Sequence, residues 1–350
     1  MATQVQTATE QLQKLQLRAE TSIDYEQEKY KYESYLPHFT PGTQPPIEEF
    51  EHVDVGLRAD AEKKNLLSAH GVTHEEITPA IGTEIHGIQL SQLNPAQLDE
   101  LALLAAERGV VLFRDQDFAD IGPERQRQYG QHFGPLHVHQ MGGQIKDYPE
   151  LLPVYRDFTR CKSRWCRDTS LVLMVSSNGM GTTTFLPLST PRSGGDTLYL
   201  STTAAYYALS DTYRTLLHGL KAVHSGFSQA SVHDHRDRYI REPIETVHPV
   251  VRTHPVTKQL SLYVNRLYTK RIVGMKQEES TSLLNFLFDH IERGQDWHLR
   301  VHWKPGTVVV YDNRNTQHSA LRDFRVEEGT TKRHMLRITP QAERPYFAEP

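Results

Sequence analysis

Residues 306–324 read GTVVVYDNRNTQHSALRDF, and residues 332–340 read KRHMLRITP. The runs VVVYDN and RHMLRI are short and rich in β-branched and large apolar residues, which predicts two strands. His318 follows the first run in what we expect to be a short connection at the mouth of a barrel. A barrel mouth is a usual place for a metal ligand. The alternative is an ordinary histidine of a surface loop, because most histidines in proteins are not metal ligands.

The second stretch carries two arginines on one face of its predicted strand. Arg333 and Arg337 lie four residues apart, and because side chains alternate along a strand, both point the same way. Two guanidinium groups on an inner face would be costly unless they met anions, and arginine is well suited to bidentate binding of carboxylates. The spacing fits an anion-binding wall and a pair of surface charges equally well.

The rest of the chain predicts many short strands and a few longer helices. The segment NPAQLDELALLAAERG predicts a helix with Asn94 as its N-cap, Pro95 at its first position and Gly109 at its end. A hairpin is predicted around Gly82 and Gly87, and further helices in GPERQRQYGQHFG, AAYYALSDTYRTLLHGL and EESTSLLNFLFDHIERG. We therefore predict an α+β fold, mainly β, with a β-barrel or jelly-roll core and helical buttresses.

Composition narrows the class of protein. The chain has 350 residues and a formal net charge of -4, which argues against a nucleic-acid partner. Its two cysteines, Cys161 and Cys166, are too few for a disulfide framework, so a reducing compartment is expected. No stretch is apolar enough for a signal peptide or a membrane span, which predicts a cytoplasmic protein without a membrane partner. Residues 1–45 are expected to be a polar extension and residues 46–350 a single domain.

A turn with two glycines is a further candidate site element. In PRSGGDTLYLS, Gly194 and Gly195 indicate a tight turn or a close approach of the backbone. Thr197 then begins a predicted strand, with its hydroxyl available to a ligand. This motif alone is common in proteins, so its meaning depends on what lies around it.

Longer stretches give the chain a resemblance to one enzyme family. They are GTEIHGIQL, ERGVVLFRDQDF, HFGPLHVH, SGGDTLYLSTTAAYYALS, HPVVRTHPVTKQLSLYVN, RIVGM, GTVVVYDNRNTQHSA and RHMLRITPQAERPYF. In their order and spacing, the chain resembles the taurine/2-oxoglutarate dioxygenases, which are non-haem Fe(II) enzymes of sulfonate catabolism. The resemblance implies a double-stranded β-helix that uses Fe(II), 2-oxoglutarate as co-substrate and O₂.

The resemblance also implies roles for individual residues. The family places a His-x-Asp pair after a tryptophan, and the matching tetrapeptide here, residues 165–168, is Trp-Cys-Arg-Asp. Asp168 and His318 are thus implied metal ligands, with Cys166 where the first histidine would stand. Four further residues are implied to bind small molecules: Thr197 and Arg333 for 2-oxoglutarate, and His139 and Arg337 for the substrate anion.

Cys166 leaves two interpretations of the metal site open. A thiolate can bind iron, so a set of Cys, Asp and His ligands is chemically feasible, although a thiolate beside oxidising iron is prone to oxidation. Alternatively, Cys166 is a small buried residue without a metal. His137 or His139, two apart on one predicted strand face, could supply a substitute donor.

Three functions follow from these interpretations. The first is an Fe(II)- and 2-oxoglutarate-dependent dioxygenase that hydroxylates an unactivated C–H bond of a small anionic substrate such as a sulfonate or an amino acid. The second is a relative from specialised metabolism that catalyses desaturation or oxidative cyclisation. The third is a pseudoenzyme with an impaired iron site that acts as a binding or regulatory protein. The sequence does not decide between a monomer and a homo-oligomer.

Overall fold

A computed structural model describes six stretches of the chain: residues 30–38, 44–140, 143–156, 179–227, 240–324 and 332–349. The chain divides into two units, residues 1–35 and residues 36–350. In the first unit the structure describes a short 3₁₀ helix, Glu33–Tyr35, and edge-to-face contacts among its tyrosine rings. The second unit holds all the strands and longer helices described below.

Strands and helices of the described residues are numbered in chain order. The strands are β1 (Thr73–Glu76), β2 (Thr83–His86), β3 (Val110–Phe113), β4 (Leu151–Arg156), β5 (Thr182–Ser189), β6 (Thr197–Ser201), β7 (Lys221–Ser225), β8 (Glu245–Pro249), β9 (Val251–Thr253), β10 (Leu260–Leu262), β11 (Thr269–Ile272), β12 (His298–Val301), β13 (Val308–Asp312), β14 (Thr316–Ala320) and β15 (Arg333–Ile338). The α-helices are α1 (Lys64–Leu67), α2 (Pro95–Arg108), α3 (Pro123–Gln131), α4 (Thr202–Tyr207), α5 (Asp211–Leu217) and α6 (Gln277–Arg293).

Two sheets form the centre of the second unit. The larger sheet has the strand order β1-β2-β3-β13-β5-β15-β4 and is antiparallel except for the pair β2 and β3. The smaller sheet has the order β12-β6-β14 and is antiparallel throughout. The chain passes from one sheet to the other at each step from β12 to β15. This alternation is typical of a jelly roll, so the predicted fold class is confirmed.

The inner faces of these two sheets pack on each other. The larger sheet contributes residues such as Phe185, Val309 and Met335 to the shared apolar cluster, and the smaller sheet contributes Tyr199 and Leu299. All of these side chains are buried, so the interface between the sheets excludes water. The strands that carry the candidate site residues therefore stand on a rigid, packed scaffold.

Helices cover the outside of this scaffold. In α2, the side chain of Asn94 accepts a hydrogen bond from the backbone N–H of Gln97, and the side chain of Gln97 accepts one from the backbone N–H of Asn94. Pro95 occupies the first turn and Gly109 ends the helix, as predicted. Helix α6 packs the buried residues Leu283, Leu287 and Ile291 into a second apolar cluster with β9, β10 and β11. Across the described residues no helix has the length and apolar character needed to cross a membrane.

Other predictions need correction. The segment AAYYALSDTYRTLLHGL was predicted as one helix, but it forms α4 and α5, because the Ser210 side chain caps a new helix by accepting from the Tyr213 backbone. Helix α3 ends at Gln131 rather than at Gly134. His318 lies inside β14 and not in a connection after β13. The segment around His137 and His139 is not a strand and pairs only through an isolated bridge from Leu136 to Pro340.

Candidate active site

Arg333 lies in the larger sheet and is anchored to the turn that precedes β6 of the smaller sheet. It is the first residue of β15 and is buried, and its Nε donates a hydrogen bond to the carbonyl oxygen of Gly195 at 2.9 Å. Thr197 begins β6 just beyond this contact and is also fully buried. The Thr197 hydroxyl accepts a hydrogen bond from the indole N–H of Trp303 at 3.0 Å, which leaves its own proton for a further acceptor. The two residues predicted to bind 2-oxoglutarate thus lie on facing sheets, and the contact between Arg333 and Gly195 brings Arg333 close to the start of β6.

The glycine turn before Thr197 allows this close approach. Gly194 and Gly195 both have a φ of 73°, a conformation that residues with a Cβ rarely adopt. A Cβ on Gly194 would stand 2.6 Å from the backbone oxygen of Asp323, and one on Gly195 would stand 3.4 Å from Cδ of Arg333. The Gly195 backbone N–H donates to the carboxylate of Asp323 at 2.8 Å, which fixes the turn. The predicted role of this turn as a close backbone approach is confirmed.

Burial and neighbouring charge modify the guanidinium of Arg333. Burial, and secondly the positive charge of Arg156 directly opposite on β4, lower the pKa of Arg333 to about 10. The group therefore stays charged at neutral pH, but it carries an electrostatic cost that a bound anion would relieve. Its Nη2 is buried and has no hydrogen-bond partner.

His318 lies beside two tyrosines on the inner face of the sheets. It pairs with Tyr199 across β14 and β6, with ring centroids 5.7 Å apart, and its ring is 5.1 Å from that of Tyr311. Burial of the ring, and secondly the charge of Arg337, lower the pKa of His318 to about 3. The imidazole is therefore neutral at physiological pH, which is the form that coordinates a metal.

The two residues predicted to hold the substrate anion lie in one cationic neighbourhood. Arg337 is buried in β15, and its charge acts on both His318 and His137. The rings of His137 and His139 are 6.3 Å apart and nearly perpendicular. Burial lowers the pKa of His137 well below its ordinary value, and His139, Arg241 and Arg337 lower it further. His137 is thus neutral and sits among groups that can carry positive charge.

Several polar atoms in this region are buried without a hydrogen-bond partner. They are the hydroxyl of Tyr199, Nδ1 of His318, Nη2 of Arg333 and Nε of Arg337. Buried polar groups in proteins are nearly always paired, and leaving one unpaired costs about 1–3 kcal/mol. Because these four atoms come from three strands around one space, the arrangement is suited to a small anionic ligand.

Two predicted metal ligands, Cys166 and Asp168, lie outside the described residues. Among the residues that the structure does describe, no three His, Cys, Asp or Glu side chains are grouped so that they could hold a metal ion. The third predicted ligand, His318, lies within the described residues and fits the role, because its imidazole is neutral, its Nδ1 is buried without a hydrogen-bond partner, and Tyr199 and Arg337 lie nearby.

Some residues of the site were not predicted. Tyr199 could have been found from its position two residues after Thr197, because alternate residues of a strand share a face. Tyr311 lies inside the apolar run VVVYDN, which gave no sign of a polar role. Arg241 reaches the site only through tertiary contacts, since its guanidinium donates to the backbone oxygens of Val138 at 2.6 Å and Pro45 at 2.8 Å. The sequence around Arg241 has no local pattern from which these contacts could be predicted.

Comparison with known proteins places this geometry in a family. The family described as "Taurine catabolism dioxygenase TauD, TfdA family" matches residues 73–339. An alpha-ketoglutarate-dependent sulfonate dioxygenase of Saccharomyces cerevisiae is 43% identical over 91% of this chain and 79% of its own length. An alpha-ketoglutarate-dependent dioxygenase of Penicillium expansum is also 43% identical, over 91% of this chain and 88% of its own length.

Solved structures agree with these sequence relatives. A putative alpha-ketoglutarate-dependent taurine dioxygenase from Burkholderia xenovorans has a TM-score of 0.65 and 28% identity, and the match covers 78% of this chain and 94% of that one. A protein solved in complex with Mn(II) and N-oxalylglycine has a TM-score of 0.60 at 22% identity, covering 79% of this chain and 99% of that one, which supports the fold. By its matched family, its relatives and its jelly-roll core, the chain belongs to the TauD/TfdA family of dioxygenases.

Proposed function

We propose that this chain is an Fe(II)- and 2-oxoglutarate-dependent dioxygenase that oxidises a C–H bond of a small anionic substrate, such as a sulfonate, a sulfate ester or an amino acid. The observation that carries the proposal is the buried guanidinium of Arg333. It is held by Gly195 through one nitrogen, presents an unpartnered Nη2, and lies near Thr197. A buried cation arranged in this way supports binding of a carboxylate.

Relatives support the substrate class. The Saccharomyces cerevisiae relative is described as a sulfonate dioxygenase, and a Pseudomonas putida relative, 29% identical over 76% of this chain, as a sulfate ester dioxygenase. Both substrate classes carry a compact anion. In this chain Arg337 and His139 would orient that anion, which fixes the reacting carbon relative to His318.

The metal would be held by His318 and Asp168, with Cys166 as the third protein ligand. His318 fits this role because burial and Arg337 keep its imidazole neutral. When bound, Fe(II) supplies the activation of O₂ that couples decarboxylation of 2-oxoglutarate to succinate with oxidation of the substrate. The chain's own residues perform the rest: Arg333 and Thr197 bind the co-substrate, and the packed sheets exclude water.

The domain organisation and the location are also proposals. Residues 46–350 would form the catalytic domain, with residues 1–45 as an extension. The low cysteine content supports a reducing compartment, and we place the enzyme in the cytoplasm.

The substrate is tested with the full chain, Fe(II), 2-oxoglutarate and O₂. Sulfonates, alkyl sulfate esters and branched amino acids are offered in parallel, and succinate and product masses are recorded. We expect succinate to form together with a product that has gained one oxygen atom. A product that has instead lost two hydrogen atoms would show that the reaction is desaturation or cyclisation and not hydroxylation.

The role of Cys166 is tested by metal binding. Cys166→His restores the ligand type of the family motif, so we expect it to raise the affinity for Fe(II) measured under anaerobic conditions. Cys161→His is the matched control, since this cysteine lies outside the motif and should leave the affinity unchanged. An equal affinity in the wild type and in Cys166→His would mean that the geometry of the proposed metal site is not intact.

A further inference from the structure

Tyr199 is a buried tyrosine whose hydroxyl is left without a hydrogen-bond partner. Its side chain has no exposed surface, and its oxygen makes no hydrogen bond. Tyr206, also buried, differs in this respect, because its hydroxyl bonds to Nε2 of His218 at 2.7 Å. A phenol is rarely buried without a hydrogen-bond partner, since it loses its hydrogen bonds to water and no protein group replaces them. The exception at Tyr199 therefore points to a ligand.

The strand geometry directs Tyr199 toward the 2-oxoglutarate site. Tyr199 and Thr197 lie on the same face of β6, because alternate residues of a strand share a face. Arg333 is anchored to Gly195, at the end of this strand where Thr197 begins it. The ring of Tyr199 packs against Tyr311, with centroids 5.1 Å apart, and against His318. Its position is therefore fixed between the candidate metal ligand and the start of β6.

Charge around the hydroxyl favours an anionic partner. The guanidinium groups of Arg333 and Arg337 lie close enough for their positive charges to act on Tyr199. A phenol carries its proton at neutral pH and can donate it. Arg333 and Arg337 each present a buried, unpartnered N–H, and Arg156 adds a third guanidinium opposite Arg333. An acceptor with negative charge would satisfy the hydroxyl and the guanidinium groups together.

We propose that the hydroxyl of Tyr199 donates a hydrogen bond to the distal carboxylate of 2-oxoglutarate, beside Arg333 and Thr197. This inference rests on the proposed function. The co-substrate carboxylate is favoured over the substrate anion because Tyr199 shares its strand face with Thr197, whereas His137 and His139 lie in a separate segment after α3. Tyr199 would thereby help the site to distinguish 2-oxoglutarate from keto acids without a second carboxylate.

The test compares two ligands in the full chain and in Tyr199→Phe. Binding is measured by calorimetry with Mn(II) and without O₂, so that no turnover occurs. One ligand is N-oxalylglycine, which carries the distal carboxylate, and the other is 2-oxopentanoate, which lacks it. We expect Tyr199→Phe to bind N-oxalylglycine about tenfold or more weakly, because a hydrogen bond to a charged group is lost. The affinity for 2-oxopentanoate should not change.

Tyr206→Phe is the matched control, because it removes a tyrosine hydroxyl that is paired with His218 outside the site. It should leave both affinities as in the wild type. Equal binding of N-oxalylglycine by the wild type and Tyr199→Phe would overturn the inference, as would an equal loss for both ligands. A wild type that binds N-oxalylglycine not at all would instead overturn the proposed function on which the inference rests.

Discussion

At the scale of single residues, the site depends on groups that are buried and incompletely paired. Arg333 is fixed through Nε by the Gly195 carbonyl, and its Nη2 remains for a ligand. Nε thus sets the orientation of the guanidinium, and Nη2 is available to bind the ligand. A lysine could not bond to the Gly195 carbonyl and to a ligand through separate, rigidly placed donors, because its ammonium is a single point charge on a flexible stem.

Arg333→Lys should therefore raise the KM for 2-oxoglutarate. We expect an increase of about tenfold or more, with a smaller change in kcat at saturating co-substrate, since the charge is kept while the paired donors are lost. Steady-state kinetics with varied 2-oxoglutarate measure this. Arg266→Lys, at an exposed ion pair with Asp289 and Glu292, is the control and should change neither constant. An unchanged KM in Arg333→Lys would contradict the assigned role.

His224 makes the stability of the fold depend on pH. Its Nε2 is buried without a partner, and burial, aided by His248, lowers the pKa of His224 to about 3. An unfolded imidazole takes up a proton below about pH 6.5. Between about pH 6.5 and pH 3 the unfolded chain therefore binds more protons at this residue than the folded chain. Its contribution to stability is full above that window and is lost as the pH falls.

His224→Phe should weaken this acid sensitivity. Over the window above, the free energy of unfolding of the wild type should fall with decreasing pH more steeply than that of the variant. The difference can reach one proton, or about 1.4 kcal/mol per pH unit. Urea unfolding at several pH values measures the two slopes. His74→Gln, on the exposed strand β1, serves as control and should keep the wild-type slope. Parallel curves for His224→Phe and the wild type would count against this explanation.

At the scale of elements, local chemistry predicted some features and not others. Helix α2 was predictable because Asn94, Pro95 and Gly109 are local signals for its start and end. The same logic missed the break between α4 and α5, where an apolar pattern continues across the cap at Ser210. The run VVVYDN predicts a strand with His318 in the connection after it, but the chain enters the next strand already at Thr316. His318 lies in a strand because residues 316–320 pair with β6, and this pairing cannot be predicted from the local sequence.

The turn between α2 and β3 lies against the strand that carries His318. Gly109 has a φ of 73°, and a Cβ there would stand 2.9 Å from Cγ2 of Thr316, the first residue of the strand that carries His318. Gly219 has a φ of 77°, yet a Cβ there would meet nothing within 4 Å. Both glycines thus have a positive φ, and they differ in what a Cβ would contact.

Gly109→Ala should therefore destabilise the protein more than Gly219→Ala. Gly219→Ala should cost about 1–2 kcal/mol from the left-handed backbone alone. Gly109→Ala should cost about 1–3 kcal/mol more, because it crowds Thr316 in a packed region. Chemical denaturation of both variants measures the difference. If the two losses are equal, the contact with β14 does not constrain this turn.

At the scale of the whole molecule, a buried ion network joins distant parts of the chain. Asp312 accepts hydrogen bonds from Nε of Arg314 at 2.8 Å and pairs with His254 at 3.1 Å. Arg314 also pairs with Asp54 and Glu343. Burial alone would raise the pKa of Asp312, but Arg314 and His254 hold it well below its ordinary value. The network fixes the turn between β13 and β14, and so the start of the strand that holds His318.

Asp312→Asn should destabilise the fold strongly. Removal of one partner leaves the buried charge of Arg314 less compensated, which typically costs about 3–5 kcal/mol. Asp289→Asn is the matched control: Asp289 pairs with Arg266 and Arg293 at the surface, where such pairs contribute about 0–1 kcal/mol. Thermal and urea unfolding of both variants measure these losses. A small loss in Asp312→Asn would show that the network is not a main support of the turn.

The most direct test of the proposed activity is the stoichiometry of turnover in the full chain. With Fe(II), O₂ and an accepted substrate, we expect one succinate for each oxidised product, and the addition of N-oxalylglycine should abolish both. Arg333→Gln should lower the formation of succinate and of product together, because both depend on the same bound keto acid. Absence of succinate at every iron concentration, together with failure to bind N-oxalylglycine, would contradict the account.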